Sequence, residues 1–171
     1  MENKSNIVLI GMSGAGKSTL GVLLAKALGK SFTDTDIMIQ QREGRLLQDI
    51  IDTDGVEYFL DAEEAAVCSV KLTDTVIATG GSVVYSDKVM EKLCADGVCV
   101  YLHVDFEELS VRLGNITSRG IVFKNAGTLR EVYEERLPLY EKYAHVTVKC
   151  SGKGIEECVN EIVTVIQKER T

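Results

Sequence analysis

Short apolar runs alternate with amphipathic segments along the whole chain, a pattern typical of strands followed by helices. The predicted strands occupy residues 6–10, 31–33, 75–79, 98–104 and 146–148. Strands that alternate with helices pair in parallel, and the helices cover both faces of the resulting sheet. The pattern therefore predicts an α/β fold with three layers.

The predicted helices carry apolar stripes and recognisable ends. The first apolar stripe consists of Leu20, Leu23, Leu24 and Ala27. Gly29, a typical C-terminal cap, marks the end of this helix. Helical spacing fills about 37–72, with a break at the Asp54-Gly55 turn signal. A later helix starts at Thr128, and we expect Pro138 to kink or interrupt it.

Composition limits the classes of function. With 171 residues, 45% of them hydrophobic, we expect a single globular domain spanning 1–171. The formal net charge of −7 argues against nucleic acid or an anionic membrane as partner. No apolar run suits a membrane span and the first residues do not resemble a signal peptide, so we expect a cytoplasmic protein, and a monomer.

The five cysteines form no C-x-x-C motif and show no ligand-like pairing with His103 or His145. Their number is odd, and a secretion signal is not apparent. We therefore expect reduced thiols, most of which act as small buried hydrophobic residues.

The segment 11–18, Gly-Met-Ser-Gly-Ala-Gly-Lys-Ser, carries the strongest chemical signal. It follows the first predicted strand and precedes the first predicted helix, which is the context that gives G-x-x-x-x-G-K-[ST] its meaning. Backbone N–H groups of such a loop surround phosphates, Lys17 adds a positive charge, and Ser18 offers a hydroxyl to Mg²⁺. The sequence therefore predicts binding of a nucleoside triphosphate.

Two further polar segments follow predicted strands, where ligands bind in parallel sheets. Asp34-Thr35-Asp36 supplies two carboxylates, one able to hold Mg²⁺ through water and the other able to accept a proton from an acceptor hydroxyl. The alternative for Asp36 is an ordinary N-cap of the next helix. Gly80-Gly81 allows a ligand to approach the backbone closely, although an ordinary tight turn is the alternative.

Residues 114–127 contain three glycines and no helical stripe. A loop of this length in a compact domain suits a mobile lid that closes over substrate. Arg119 in this loop could neutralise charge on the transferred phosphoryl group, the alternative being a solvated surface arginine.

These residues resemble the shikimate kinases, relatives of the nucleoside monophosphate kinases, from about residue 6 to 167. The segments that carry the resemblance are 11–18, 34–36, 41–45, Asp54-Gly55 with Phe59 and Glu63, 78–81 and 136–140. The resemblance implies a five-stranded parallel sheet in the order 2-3-1-4-5, an acceptor-binding segment at about 34–63 and a lid at about 114–127. It also implies ATP and Mg²⁺ as cofactors and a small hydroxyl acceptor as partner.

The resemblance further implies the role of individual residues. Contacts to ATP are implied for Gly11, Gly14, Ala15, Gly16, Lys17, Ser18, Thr19 and Arg119, and metal binding for Ser18 and Asp34. Acceptor contacts are implied for Asp36, Gly80, Gly81 and Arg136, the last of these pairing with a carboxylate. Lys17, Asp34, Asp36 and Arg119 are the expected catalytic residues.

The acceptor half of the predicted site departs from the family pattern. A second arginine for the acceptor carboxylate is replaced by Leu60, a third glycine by Ser82, and the usual Arg-Pro of the lid by Arg119-Gly120. The leading prediction is phosphorylation of shikimate. The alternatives are the same reaction on another small hydroxy acid or polyol, and a nucleotide-binding regulatory protein without turnover.

Overall fold

The computed structural model describes residues 4–114 and 127–169. Its strands are β1 (Asn6–Ile10), β2 (Ser31–Asp34), β3 (Thr75–Ala78), β4 (Gly97–His103) and β5 (Val146–Lys149). They form one parallel sheet in the order β2-β3-β1-β4-β5. The predicted order is therefore confirmed.

The helices are α1 (Lys17–Leu28), α2 (Thr35–Glu43), α3 (Leu47–Cys68), α4 (Asp87–Asp96), α5 (Phe106–Gly114), α6 (Leu129–Tyr143) and α7 (Ile155–Glu169). All five residues of the central strand β1 are buried. Successive side chains of a strand point to opposite faces, so helices must cover both faces of the sheet. This agrees with the predicted three-layer architecture.

The buried face of α1 differs from the predicted stripe. Leu20 and Leu24 are buried as expected, but Leu23 is 39% exposed and Ala27 is also exposed. Gly21 is buried instead, and a Cβ there would lie only 2.6 Å from the ring of Phe32. A glycine thus lets the helix approach β2, and apolar character alone does not reveal such a contact.

The predicted break at Asp54-Gly55 is present as a kink within α3. Gly55 has φ 85° and ψ 174°, so the two halves of α3 run in different directions. A second break ends α2 at Gly44, whose φ of 69° places it in the left-handed region. These turns fold α2 and α3 against a small apolar cluster of their own, which consists of Ile39, Ile50, Phe59, Ala62 and Ala66.

Helix α6 does not stop at Pro138, contrary to one of the two expectations for that residue. It runs from Leu129 to Tyr143 with the proline inside, and Thr128 and Glu131 form a capping box at its start. Its buried face includes Val132, Arg136 and Tyr140. Packing of this face offsets the loss of one backbone hydrogen bond at the proline.

Within the two described ranges, no helix combines the length and the apolarity that a bilayer span requires. The expected lid lies almost entirely outside the described residues, and Arg119 lies outside them as well.

Candidate active site

The loop of residues 11–18, the phosphate loop, connects β1 to α1 at the carboxyl edge of the sheet. All three of its glycines have positive φ, namely Gly11, Gly14 and Gly16. The Nζ atom of Lys17 donates hydrogen bonds to the carbonyl oxygens of Gly11 at 2.6 Å and Met12 at 2.7 Å. Lys17 is only 6% exposed, so its charge is held inside the loop at the N-terminus of α1, where the helix dipole adds to it.

Ser18 and Asp34 form an oxygen pair beside this loop. The Ser18 hydroxyl donates to Oδ2 of Asp34 at 2.5 Å. The other oxygen, Oδ1, accepts from the backbone N–H groups of Asp36 at 2.9 Å and Ile37 at 3.4 Å. A hydroxyl and a fixed carboxylate are hard oxygen ligands, so the pair fits Mg²⁺ by its chemistry.

The N-cap of α2 is Asp34 rather than Asp36. The alternative interpretation of Asp36, an ordinary N-cap without a chemical role, therefore does not apply. Asp36 lies in the first turn of α2, where the N-terminal end of the helix stabilises a negative charge.

Residues 79–81 form a buried turn that follows β3 and lies next to the carboxylate of Asp36. The N–H of Gly80 donates to the hydroxyl of Thr35 at 3.1 Å, and the carbonyl of Gly81 accepts from the hydroxyl of Tyr140 at 2.6 Å. A Cβ on Gly80 would lie 2.7 Å from Oδ1 of Asp36. An ordinary tight turn would tolerate a side chain there, so the close approach of Asp36 explains the glycine.

Arg136 lies directly behind Gly81. It is 1% exposed, and its Nη1 would be 2.9 Å from a Cβ placed on Gly81. Its Nε donates to the hydroxyl of Tyr85 at 3.2 Å, and the guanidinium carbon lies 5.2 Å from the centroid of that ring. Tyr85 and the turn thus fix the direction of a buried positive charge.

Glu63, to which the sequence analysis gave no role, completes the cluster from α3. It is 3% exposed, and its Oε1 accepts from the Ser82 hydroxyl at 3.0 Å. Its Oε2 has no hydrogen-bond partner among the described residues and would lie 3.0 Å from a Cβ on Gly80. Burial and, secondly, the charge of Asp36 raise the pKa of Glu63 from 4.5 to about 8, so Glu63 carries a proton at neutral pH.

The phosphate loop, the two aspartates and the turn surround a central cleft of about 340 Å³. The remaining lining comes from α2, α3 and the connection between them and includes Ile37, Gln40, Leu46, Leu47 and Gln48. This volume lies at the lower end of the range for small-molecule sites. Of the described residues that line the cleft, Lys17 is the only cation.

Leu60 does not add polarity to this region. It is partly buried and packs against the apolar cluster of α2 and α3. Ser82 instead contributes the hydroxyl that binds Glu63. The acceptor side of the site therefore lacks a cation at position 60 and gains a neutral hydrogen-bond donor at position 82.

A second, side pocket of about 250 Å³ adjoins the phosphate loop. Thr19, Arg112 and Ile155 belong to its lining, and Arg112 donates to the carbonyl oxygen of Gly14 at 3.1 Å. Arg112 and Ile155 were not among the predicted site residues, and no sequence motif marks either of them. Ile155 has the spacing of the apolar stripe of the last helix, yet it is 48% exposed at the start of α7.

The structure thus brings nearly all predicted site residues to one edge of the sheet. The cleft is lined by Gly14, Gly16, Lys17, Ser18, Thr19, Asp34, Asp36, Gly80 and Gly81. Gly11 and Ala15 are buried parts of the loop, and Arg136 lies behind the turn. Arg119 lies outside the described residues.

Family models and curated relatives both identify the chain's family. The family model for shikimate kinase matches residues 13–167. The shikimate kinase of Vibrio cholerae is 34% identical to this chain, with 98% of each chain covered.

Solved structures agree with this result. The shikimate kinase of Acinetobacter baumannii, determined in complex with shikimate, has a TM-score of 0.88 and 28% identity, covering 96% of this chain and 93% of that one. The Aquifex aeolicus shikimate kinase has a TM-score of 0.79 and 30% identity, with 96% and 98% covered. This chain therefore belongs to the shikimate kinase family and is an ATP-dependent small-molecule kinase that transfers phosphate to a hydroxyl.

Proposed function

We propose that this kinase phosphorylates shikimate, or a small hydroxy acid very similar to it, with ATP and Mg²⁺. The observation that carries the proposal is the arrangement around Gly80-Gly81. Asp36 lines the cleft together with the phosphate loop, and Nη1 of Arg136 lies 2.9 Å from the position that a Cβ on Gly81 would take. One carboxylate for a hydroxyl proton and one cation for an acid group are what a hydroxy acid requires.

Donor binding rests on the phosphate loop and the side pocket. Lys17 and the loop N–H groups bind the phosphates, and the side pocket beside Arg112 is large enough for the base. Ser18 and Asp34 would hold Mg²⁺, which when bound neutralises charge on the β- and γ-phosphates.

Transfer itself needs few groups. Asp36 accepts the proton of the acceptor hydroxyl. At the same time the hydroxyl oxygen bonds to the γ-phosphorus of ATP, and the bond between the γ-phosphorus and the leaving oxygen of ADP breaks. Glu63, protonated at neutral pH, can donate a hydrogen bond from its otherwise unpartnered Oε2. Arg119 in the lid is proposed to act on the transferred phosphoryl group, as the family resemblance implies.

Leu60 supports a second candidate, the same reaction on a different small hydroxy acid or polyol. The carboxylate of the acceptor would meet Arg136 without a second arginine from α3. Losing one partner of a buried charge pair costs about 2–5 kcal/mol. We therefore expect either a raised KM for shikimate or a preferred acceptor that relies less on a carboxylate.

A coupled assay of ADP production on shikimate, beside a panel of small hydroxy acids and polyols, tests the proposal. Leu60→Arg should lower the KM for shikimate about tenfold, equivalent to about 1.4 kcal/mol. Thr53→Arg adds the same single positive charge at an exposed position of the same helix and should leave the KM unchanged.

Three other results would change the assignment. Efficient turnover of shikimate with no gain from Leu60→Arg would show that Arg136 alone suffices for the carboxylate. Turnover of another acceptor only would establish the second candidate. ATP binding without ADP production on any acceptor would support a regulatory protein instead.

A further inference from the structure

Two cysteines and a histidine meet at the sheet edge opposite the phosphate loop. Cys94 belongs to α4, Cys99 lies near the start of β4, and His145 directly precedes β5. One ligand atom of each lies within 4.8 Å of the others. The two sulfur atoms are 2.9 Å apart.

A metal site fits this cluster poorly. Two thiolates on a tetrahedral ion with bonds of about 2.3 Å have sulfur atoms about 3.8 Å apart, well beyond the separation here. Nδ1 of His145 already accepts from the backbone N–H of Cys99 at 3.0 Å, and Nε2 lies 2.9 Å from the ammonium nitrogen of Lys4. A positive charge at the remaining ligand atom opposes a second cation.

The two thiols differ in a way that suits thiol–disulfide exchange. Cys94 is partly exposed, whereas Cys99 is fully buried. A hydrogen bond from the Cys99 thiol, together with the charge of Lys4, lowers the pKa of Cys94, and the same hydrogen bond and burial raise the pKa of Cys99. The exposed thiol is thus the better nucleophile, and the buried one lies in contact with it.

We propose that Cys94 and Cys99 form a reversible thiol–disulfide pair that reacts with small-molecule disulfides. The Cys94 thiolate attacks one sulfur of such a disulfide, forms a mixed disulfide and releases one thiolate, which takes up a proton. Cys99 then loses its proton and attacks the Cys94 sulfur, which releases the second small thiol. The two protein thiols are oxidised by two electrons, and the small disulfide is reduced to two thiols.

The other close thiol pair does not share these properties. Cys150 and Cys158 are each only 2% exposed, and burial raises the pKa of Cys150 to about 12. A buried and protonated thiol reacts slowly with disulfides. The remaining cysteine, Cys68, is partly exposed and offers a competing site.

The test is incubation of the folded protein in buffers with graded ratios of oxidised to reduced glutathione, followed by alkylation and mass spectrometry. A Cys68→Ser background removes the competing thiol. We expect loss of two hydrogens and a Cys94–Cys99 crosslinked peptide that reverts in reduced glutathione. Cys99→Ala should stop the reaction at one glutathione on Cys94, and Cys94→Ser should abolish it.

Two results would overturn the proposal. The first is a stable glutathione adduct on Cys94, or no reaction, in protein that retains Cys99; because this is read in the unaltered pair, it does not depend on how the variants fold. The second is tight binding of one Zn²⁺ that His145→Ala abolishes, which would identify a metal site instead.

Discussion

Lys17 is the residue proposed to let a chain with a formal net charge of −7 bind a polyanion. Its Nζ donates to the carbonyl oxygens of Gly11 and Met12, within the phosphate loop. The favourable potential is therefore local, and the acidic surface elsewhere does not prevent binding.

Lys17→Ala should lower kcat/KM for ATP by about 10²-fold or more, because no other cation among the described residues lines the cleft. Steady-state kinetics and isothermal titration with ATP measure the effect. Lys26→Ala, at an exposed position of the same helix, is the control and should behave as the wild type. Equal behaviour of the two variants would show that the loop N–H groups suffice.

Asp36 is the residue proposed to accept the acceptor proton. Asp36→Asn should keep the Kd for ATP nearly unchanged and reduce kcat about 10²–10⁴-fold, because an amide cannot accept the proton. The exposed Asp61→Asn is the matched control. A variant at position 36 with a wild-type kcat on a verified acceptor would limit Asp36 to a structural part.

At the level of elements, the turn after β3 brings three ionisable side chains together from different helices. Asp36 comes from α2, Glu63 from α3 and Arg136 from α6, and all three approach Gly80-Gly81. Both positions need glycine, because a Cβ on Gly80 would collide with Asp36 and a Cβ on Gly81 would collide with Arg136.

Gly80→Ala should therefore displace the carboxylates of Asp36 and Glu63 and reduce kcat at least about tenfold, while ATP binding persists. The control is Gly154→Ala, since a Cβ on Gly154 would make only an ordinary contact among the described residues, with Oε2 of Glu157 at 3.7 Å. Kinetics on a verified acceptor, with thermal unfolding as a check on folding, measure the effect. An unchanged kcat would mean that the turn relaxes without moving Asp36.

For the whole molecule, Glu63 links the site to global stability. Its pKa is about 8 in the folded protein and near 4.5 in the unfolded chain, so the folded state binds more protons between these values. The stabilising contribution of Glu63 to the free energy of unfolding is therefore fully present below about pH 4.5 and is lost as the pH rises to about 8.

Glu63→Gln should remove this pH dependence. The Tm of the wild type relative to Glu63→Gln is expected to fall steadily between about pH 5 and pH 8.5. The Tm difference between the wild type and Glu64→Gln should stay constant in that range, because hydrogen bonds from Ser86 and Lys88 lower the pKa of Glu64. Parallel Tm curves for the wild type and Glu63→Gln would show that Glu63 is ionised in the folded state.

The acceptor side of the site was harder to predict than the nucleotide side. Phosphate binding depends on consecutive residues 11–18, whose spacing is visible in the sequence. Glu63 and Ser82 lie 19 positions apart, and their hydrogen bond forms only when α3 packs beside the turn. Arg112 and Ile155 approach the loop from α5 and α7, again through tertiary packing.

The sequence by itself determined the strand positions, the phosphate loop, the two aspartates and the family, because these depend on local periodicity and on contiguous motifs. Tertiary structure alone decided that Gly21 rather than Leu23 is buried, and that Cys94, Cys99 and His145 meet. It also decided that Glu63 is buried beside Asp36 and keeps its proton. Burial and long-range contacts set proton affinity and packing, and neither is a property of neighbouring residues in the chain.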